Sequence, residues 1–182
     1  MKEILLGITG GIAAYKSAAV VSRLTQRGIG VTVVMTRSAM KLVAPQTFEA
    51  LSGRPVQHSV FGAKMSHAHI ELARPADLFC IVPATANILA KAAHGIADDL
   101  VSTLLLSFDK PVLFVPAMNP VMWNKPSVQR NVKQLLDDGM FFLGPESGHL
   151  SCGETGTGRM SEPEKIVETI LNWHCFAEQF VR

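Results

Sequence analysis

Asn119 is the one amide in the run Pro116-Ala117-Met118-Asn119-Pro120-Val121-Met122-Trp123, set among prolines and methionines with an indole four residues on. The run follows the apolar stretch Val112-Leu113-Phe114-Val115 and precedes a segment of helical character. That places it at the carboxyl end of a strand, where open α/β sheets receive their ligands. An ordinary strand-to-helix turn favours Gly, Ser or Asp and has no use for this much apolar bulk. An amide in a stiff apolar rim is suited to holding one polar group of a ligand.

Two further strand ends carry ligand-binding chemistry. Gly7-Ile8-Thr9-Gly10-Gly11-Ile12-Ala13-Ala14-Tyr15-Lys16 closes the first strand. Its glycines permit a tight turn, and the amides opening the next helix can hold a phosphate. The dinucleotide pattern G-x-G-x-x-G fails because position 9 is Thr, and the second strand ends in Thr36-Arg37-Ser38 instead of an acid for a ribose. A mononucleotide phosphate is therefore expected ahead of a dinucleotide, with Lys16 read as a solvated helix residue. The third strand ends in Pro83-Ala84-Thr85-Ala86-Asn87, whose small and polar side chains suit close approach to a planar ring, although Thr85 also fits a helix N-cap.

Two groups offer proton chemistry. His69, in the short alternating segment Ala68-His69-Ile70-Glu71-Leu72, can act as a base near neutral pH; the other histidines are read as structural or exposed. Cys152 lies in the glycine-rich stretch from His149 to Met160, a setting unlike the apolar strand around Cys80, and is read as a reactive or proton-donating thiol on a mobile flap. Cys175 is assigned to packing, and Asp98-Asp99 to capping the helix that begins near Leu100.

These groups need a sheet to position them. Strands are expected at Ile4–Thr9, Val31–Thr36, Leu78–Pro83, Val112–Pro116 and Phe141–Gly144. Helices are expected at Ile12–Arg27, Pro45–Leu51, Ala86–His94, Leu100–Phe108 and Ser127–Asp137, with a last one starting near Glu162-Pro163-Glu164. The alternation means a mainly parallel sheet covered on both faces, one domain over residues 1–182. Val56–His67 has no clear period and is read as an irregular excursion, as is Pro145–Met160.

Hydrophobic residues make up 48% of the chain, which suggests doubly buried strands or a surface buried in an oligomer. Gly, Asp, Lys or Pro interrupts every apolar run before the roughly 20 residues of a membrane span. Met1-Lys2-Glu3 leads straight into a strand and does not read as a signal peptide. A net charge of +2 without a Lys/Arg cluster gives no reason to expect nucleic acid. Three cysteines without paired spacing fit a reducing compartment, the cytoplasm by default, and argue against a disulfide frame or a metal site.

Together these motifs resemble the homo-oligomeric flavin-containing cysteine decarboxylases, most closely the branch acting on phosphopantothenoylcysteine in coenzyme A biosynthesis. The matching pieces, in the family's order, are Gly10 to Lys16, His69 to Leu72, Pro83 to Asn87, Asp99-Leu100-Val101-Ser102-Thr103, Pro116 to Trp123, Cys152-Gly153-Glu154 and Gly158-Arg159-Met160. The resemblance implies a three-layer α/β/α Rossmann-like flavoprotein fold with FMN at a subunit junction. It assigns the cofactor to Gly10, Gly11 and Ile12, to Thr36 and Ser38, to Ala84, Thr85, Ala86 and Asn87, and to Ala117 and Met118. Substrate contacts fall to Asn119, Met122, Ser151, Gly153 and Arg159. His69 becomes the catalytic base, Asn119 the group that binds the substrate carboxylate, and Cys152 the proton donor of a substrate flap over residues 145–160. Ser151 departs from the Ala common in the family but keeps its small size.

The implied reaction converts 4'-phosphopantothenoylcysteine to 4'-phosphopantetheine through a thioaldehyde, whose C=S group accepts the electrons as CO2 leaves, and an enethiolate. A Cys thiol, with a reference pKa of about 8.5, can protonate the enethiolate carbon at neutral pH. The family also implies a trimer or a dodecamer of trimers. Its other branches are the oxidative decarboxylases of peptidyl carboxy-terminal cysteine, which lack this Cys, and non-enzymatic regulatory subunits. In many bacteria a ligase domain follows this one; with the sequence ending soon after Asn172-Trp173-His174-Cys175, either a free-standing or a shortened chain is consistent.

Overall fold

Successive residues of a strand face opposite sides of its sheet, so strands apolar at every position require cover on both. The computed structural model describes residues 1–59, 68–149, 153 and 155–180, and its sheet meets that requirement. The chain runs β1 (Glu3–Ile8), α1 (Ala14–Gln26), β2 (Gly30–Met35), α2 (Arg37–Met40), α3 (Pro45–Ser52), α4 (Ala68–Ala73), β3 (Leu78–Ala84), α5 (Ala86–His94) and α6 (Leu100–Ser107). It continues with β4 (Val112–Pro116), α7 (Pro120–Trp123), α8 (Pro126–Asp137), β5 (Phe141–Phe142), β6 (Glu146–His149), β7 (Thr155–Arg159), α9 (Pro163–Leu171) and α10 (Trp173–Ala177), then a 3-10 turn at Glu178–Phe180.

The five-stranded sheet is parallel throughout, in the order β2-β1-β3-β4-β5. Ile4, Leu6, Ile8, Val31, Val33, Cys80 and Leu113 face one side, under α1, α3 and α9. Leu5, Val34, Phe79, Ile81 and Phe114 face the other, under α5, α6 and α8. The expected α/β/α sandwich is thus formed, and burial of the Cys80 thiol in it raises its pKa well above the ordinary value. Asp99 and Ser102 close a reciprocal capping box at the start of α6, as the acidic pair suggested.

Four local expectations differ. His69 lies on the helix α4, not in an extended segment, because Leu72 and Ala73 turn one helical face into the core. Pro145–Met160 is not wholly irregular: β6 and β7 pair antiparallel there, while Ser151 and Cys152 lie outside the described residues. The first helix begins at Ala14 instead of Ile12, after a tight turn in which Gly11 N donates to Thr9 O (2.9 Å). In the stretch from Val56, Gln57 pairs with β2, accepting from Met35 N and donating to Val33 O (both 2.9 Å), and residues 60–67 lie outside the described residues.

Asp77 fastens the start of the first strand. Its carboxylate accepts from the backbone N–H groups of Lys2 (2.7 Å) and Glu3 (3.1 Å), and these bonds hold its pKa below the usual carboxylate value. A depressed folded pKa stabilises the fold above the ordinary value of 3.8 and ceases to do so as pH falls through the folded value. Asp77→Asn is therefore expected to melt at lower temperature than the unaltered protein at pH 7, and the gap in Tm is expected to close as pH falls below 3.8 and through the depressed folded value.

Candidate active site at the carboxyl edge of the sheet

The strand order reverses between β1 and β3, so α1 leaves toward one face and α5 toward the other. The loops after these strands diverge and open a crevice, the usual ligand position in such sheets. Thr9 holds the two loops in register: its buried hydroxyl donates to Pro83 O (2.6 Å) and accepts from Thr85 N (3.2 Å). Thr85 then caps α5. Gly10 is pressed against the β2 loop, where an added Cβ would stand 2.3 Å from Ser38 Cβ.

Two adjoining clefts occupy this edge and share Gly10, Thr85, Ala86 and Met122. The larger, of about 650 Å³, is polar: Thr9, Thr36, Ser38 and Asn87 offer hydroxyls and an amide, beside Arg37, His58 and Lys91. The Lys91 ammonium is opposed by burial, yet its pairing with Asp98 (2.6 Å) and Asp99 (3.2 Å) raises its pKa. The smaller cleft, of about 410 Å³, has mainly apolar walls, among them Ile12, Tyr15, Ala117, Met118 and Met160.

The octet after β4 forms the floor of the smaller cleft. Ala117 N donates to Ala84 O (3.0 Å), continuing the sheet for one more residue. Asn119 caps α7, its Oδ1 accepting from Met122 N (2.8 Å), with Pro120 at the first helical position. An amide tied through its oxygen presents its NH2 to the cleft as a donor. Asn119 thus serves both as a helix cap and as a candidate carboxylate donor.

The β6–β7 ribbon lies over this floor. Gly158 O accepts from Met118 N (2.9 Å), and a Cβ on Gly158 would be 2.2 Å from Met118 O. A Cβ on Gly156 would meet Pro120 Cγ at 2.8 Å. Glycine is needed at both positions because backbone rests on backbone or ring. At the ribbon's base, Glu162 accepts from Lys16 Nζ through both oxygens (3.1 Å each) and also pairs with Arg159. Lys16 is therefore not a solvated helix residue: with Ile12 and Tyr15 it faces the cleft, as residues three and four apart on a helix share one face.

The structure brings together Gly10, Gly11, Ile12, Thr85, Ala86, Ala117, Met118, Asn119, Met122 and Arg159 at the smaller cleft, and Thr36, Ser38 and Asn87 at the larger. Ala84 is instead buried in the core and lines neither, and Trp123 packs against the core below α7. His69, on α4, lines neither cleft. Gly153 is exposed with φ of 85°, and the neighbouring Ser151 and Cys152 lie outside the described residues. Sequence reasoning missed Tyr15, His149 and Met160 at the smaller cleft, though Tyr15 was legible from its spacing to Ile12.

A parallel sheet in this order, with a polar and an apolar cleft meeting at its switch point, defines a mononucleotide-binding α/β protein. The flavoprotein family model matches residues 1–174, and the chain belongs to that family. It is 48% identical over 168 residues to the coenzyme A biosynthesis bifunctional protein CoaBC of Vibrio vulnificus, covering 91% of this chain and 42% of that one. The Bacillus subtilis protein of the same name is 46% identical over 169 residues, covering 92% and 42%. The chain thus spans about two-fifths of the length of these curated relatives.

Among solved structures, it is similar to a cysteine-to-serine mutant of PPC decarboxylase complexed with pantothenoylaminoethenethiol. That likeness has a TM-score of 0.85 and 30% identity, covering 95% of this chain and 98% of the other. The FMN-dependent cysteine decarboxylase SpaF gives a TM-score of 0.80 and 34% identity, covering 94% and 97%.

Because the ribbon docks through missing side chains, Gly158→Ala is expected to destabilise the protein by about 1–3 kcal/mol. Thermal melts of the purified variant read this directly, and an unchanged Tm would mean that the ribbon tolerates displacement.

Proposed function

We propose that this chain is an FMN-dependent decarboxylase that converts 4'-phosphopantothenoylcysteine to 4'-phosphopantetheine, working in the cytoplasm as a trimer or a dodecamer of trimers. The observation that carries the reading is Asn119. Its amide oxygen is tied by Met122 N, and its NH2 is left for an acceptor in a cleft with mainly apolar walls, next to Met118. The kinship with CoaBC and with PPC decarboxylase supports the same substrate.

The two clefts fit FMN. Gly10 and Gly11 have no Cβ where the loops crowd: one on Gly11 would lie 3.3 Å from Thr85 Cγ2, and one on Gly10 would collide with Ser38. Thr36 and Ser38 supply hydroxyls for the phosphate end, while Ala86, Ala117 and Met118 supply small and apolar surface for a ring. When bound, FMN supplies two-electron chemistry at the sulfur-bearing carbon, taking a hydride and returning it after CO2 has left.

The protein's own part is to orient, dry and protonate. Asn119 Nδ2 grips the substrate carboxylate so that the breaking bond lies across the neighbouring C=S group. The apolar walls exclude water from the carbanionic carbon. Cys152 delivers a proton to that carbon from the flap, and His69 removes the proton that accompanies substrate oxidation. As His69 lines neither cleft of its own chain, that role calls for a subunit junction. Ile12 and Tyr15 (each 61% exposed), Val121 (57%) and Met122 (46%) give the mouth of the cleft an apolar surface suited to such a junction.

Purified protein is expected to be yellow and to release 4'-phosphopantetheine, identified by mass spectrometry. Cys152→Ser is expected to halt at the oxidised enethiol, and undiminished 4'-phosphopantetheine from that variant would remove the thiol from the mechanism. Asn119→Asp keeps a helix cap but sets a carboxylate against a carboxylate. Its kcat/KM is expected to fall by about 100-fold or more with FMN content unchanged. Near-normal turnover would show that Asn119 only caps α7.

A further inference from the structure

The smaller cleft holds Asn119 among its polar groups, but its charges lie elsewhere. Lys16 and Arg159 both line it, with His149 beside them, and no Asp or Glu occurs among its described lining residues. The two cations share the carboxylate of Glu162 behind the wall, which Lys16 meets at 3.1 Å through both oxygens. Glu146 also acts on Arg159 but is itself paired with Lys165 at 2.8 Å. Two positive charges against one negative leave the wall with a net positive charge. Arg159 is also steered from below: a Cβ on Gly148 would lie 3.0 Å from its NH1 and 3.3 Å from its Cδ, so the side chain lies flat across the bare backbone of β6. Lys16 comes from α1, Arg159 from β7 and Glu162 from the residue before α9, three elements meeting at one corner.

We infer that Lys16 and Arg159, positioned by Glu162, form an anion subsite that takes the substrate's phosphate. The inference rests on the reading above, in which Asn119 takes the carboxylate, so one cleft would grip a two-headed anion at both ends. A guanidinium and an ammonium presented together suit a phosphate's several oxygens. The competing source of a phosphate is the cofactor. The larger cleft has its own hydroxyls at Thr36 and Ser38 and its own cation at Arg37 for that group. The Lys16–Arg159 pair instead lines the smaller cleft, the one that holds Asn119. Glu162 acts as a positioning residue: it holds both cations at the wall and stops them from collapsing onto solvent.

The test compares FMN-loaded protein on 4'-phosphopantothenoylcysteine and on pantothenoylcysteine, which differ only in the phosphate. The unaltered enzyme is expected to prefer the phosphorylated compound, and Lys16→Met to reduce the ratio of the two kcat/KM values by about tenfold or more, mainly through KM. Lys16→Arg is expected to restore most of the ratio, which a merely structural lysine would not require. Equal losses on both compounds would overturn the subsite. A Lys16→Met protein that binds FMN weakly but riboflavin normally would also overturn it, by assigning the pair to the cofactor. Should the unaltered protein turn over neither compound, the functional reading fails separately. Calorimetric titration of inorganic phosphate into the holoprotein then decides the subsite: saturable binding weakened by Lys16→Met sustains it, and no binding overturns it.

Discussion

A parallel sheet with apolar residues on both faces cannot be stable unless helices cover both, and the site follows from that constraint. With β1 and β3 adjacent and their following helices on opposite faces, the loops between them must part. The crevice is thus a consequence of hydrophobic burial. What the chain adds is adjustment: the Thr9 hydroxyl spans the crevice's inner end, bonded to both Pro83 and Thr85, and keeps the loops at a fixed separation. Substrate and cofactor chemistry is then set on a rim that the core already holds in place.

The second organising feature is close backbone approach. Gly158 and Gly156 let the β6–β7 ribbon lie directly on Met118, Asn119 and Pro120, and Gly148 lets Arg159 lie across the ribbon. A ribbon built in this way is anchored at its base. The ion cluster of Lys16, Arg159 and Glu162 joins that base to α1 and α9. The ribbon is thereby tied to the wall that carries the inferred anion subsite.

Much of the fold could be read from residue patterns because period-2 and period-3.6 patterning are local. All five strands of the main sheet and the long helices were expected within a few residues of where they stand. The β6–β7 ribbon was not, because its strands, Glu-Ser-Gly-His and Thr-Gly-Thr-Gly-Arg, have neither β-branched apolar residues nor alternation. Their pairing derives from docking on the octet, a long-range contact. The helix around His69 is hidden for a similar reason: six residues are too few to show a period, and its helicity comes from packing Leu72 and Ala73.

The sequence by itself determined which groups are available and at which strand ends they lie: the amide after β4, the glycines after β1, and the hydroxyls after β2 and β3. Each is a neighbour in sequence of an apolar strand, and strand ends in a parallel sheet share one edge. Only the tertiary structure decided how those groups are presented. Asn119 offers its NH2 because Met122 N holds its oxygen, Ala84 is withdrawn into the core, and Lys16 turns from solvent to the cleft because Glu162 lies 146 residues away in sequence but 3.1 Å away in space. Hydrogen bonds and ion pairs orient side chains through partners that no local pattern encodes.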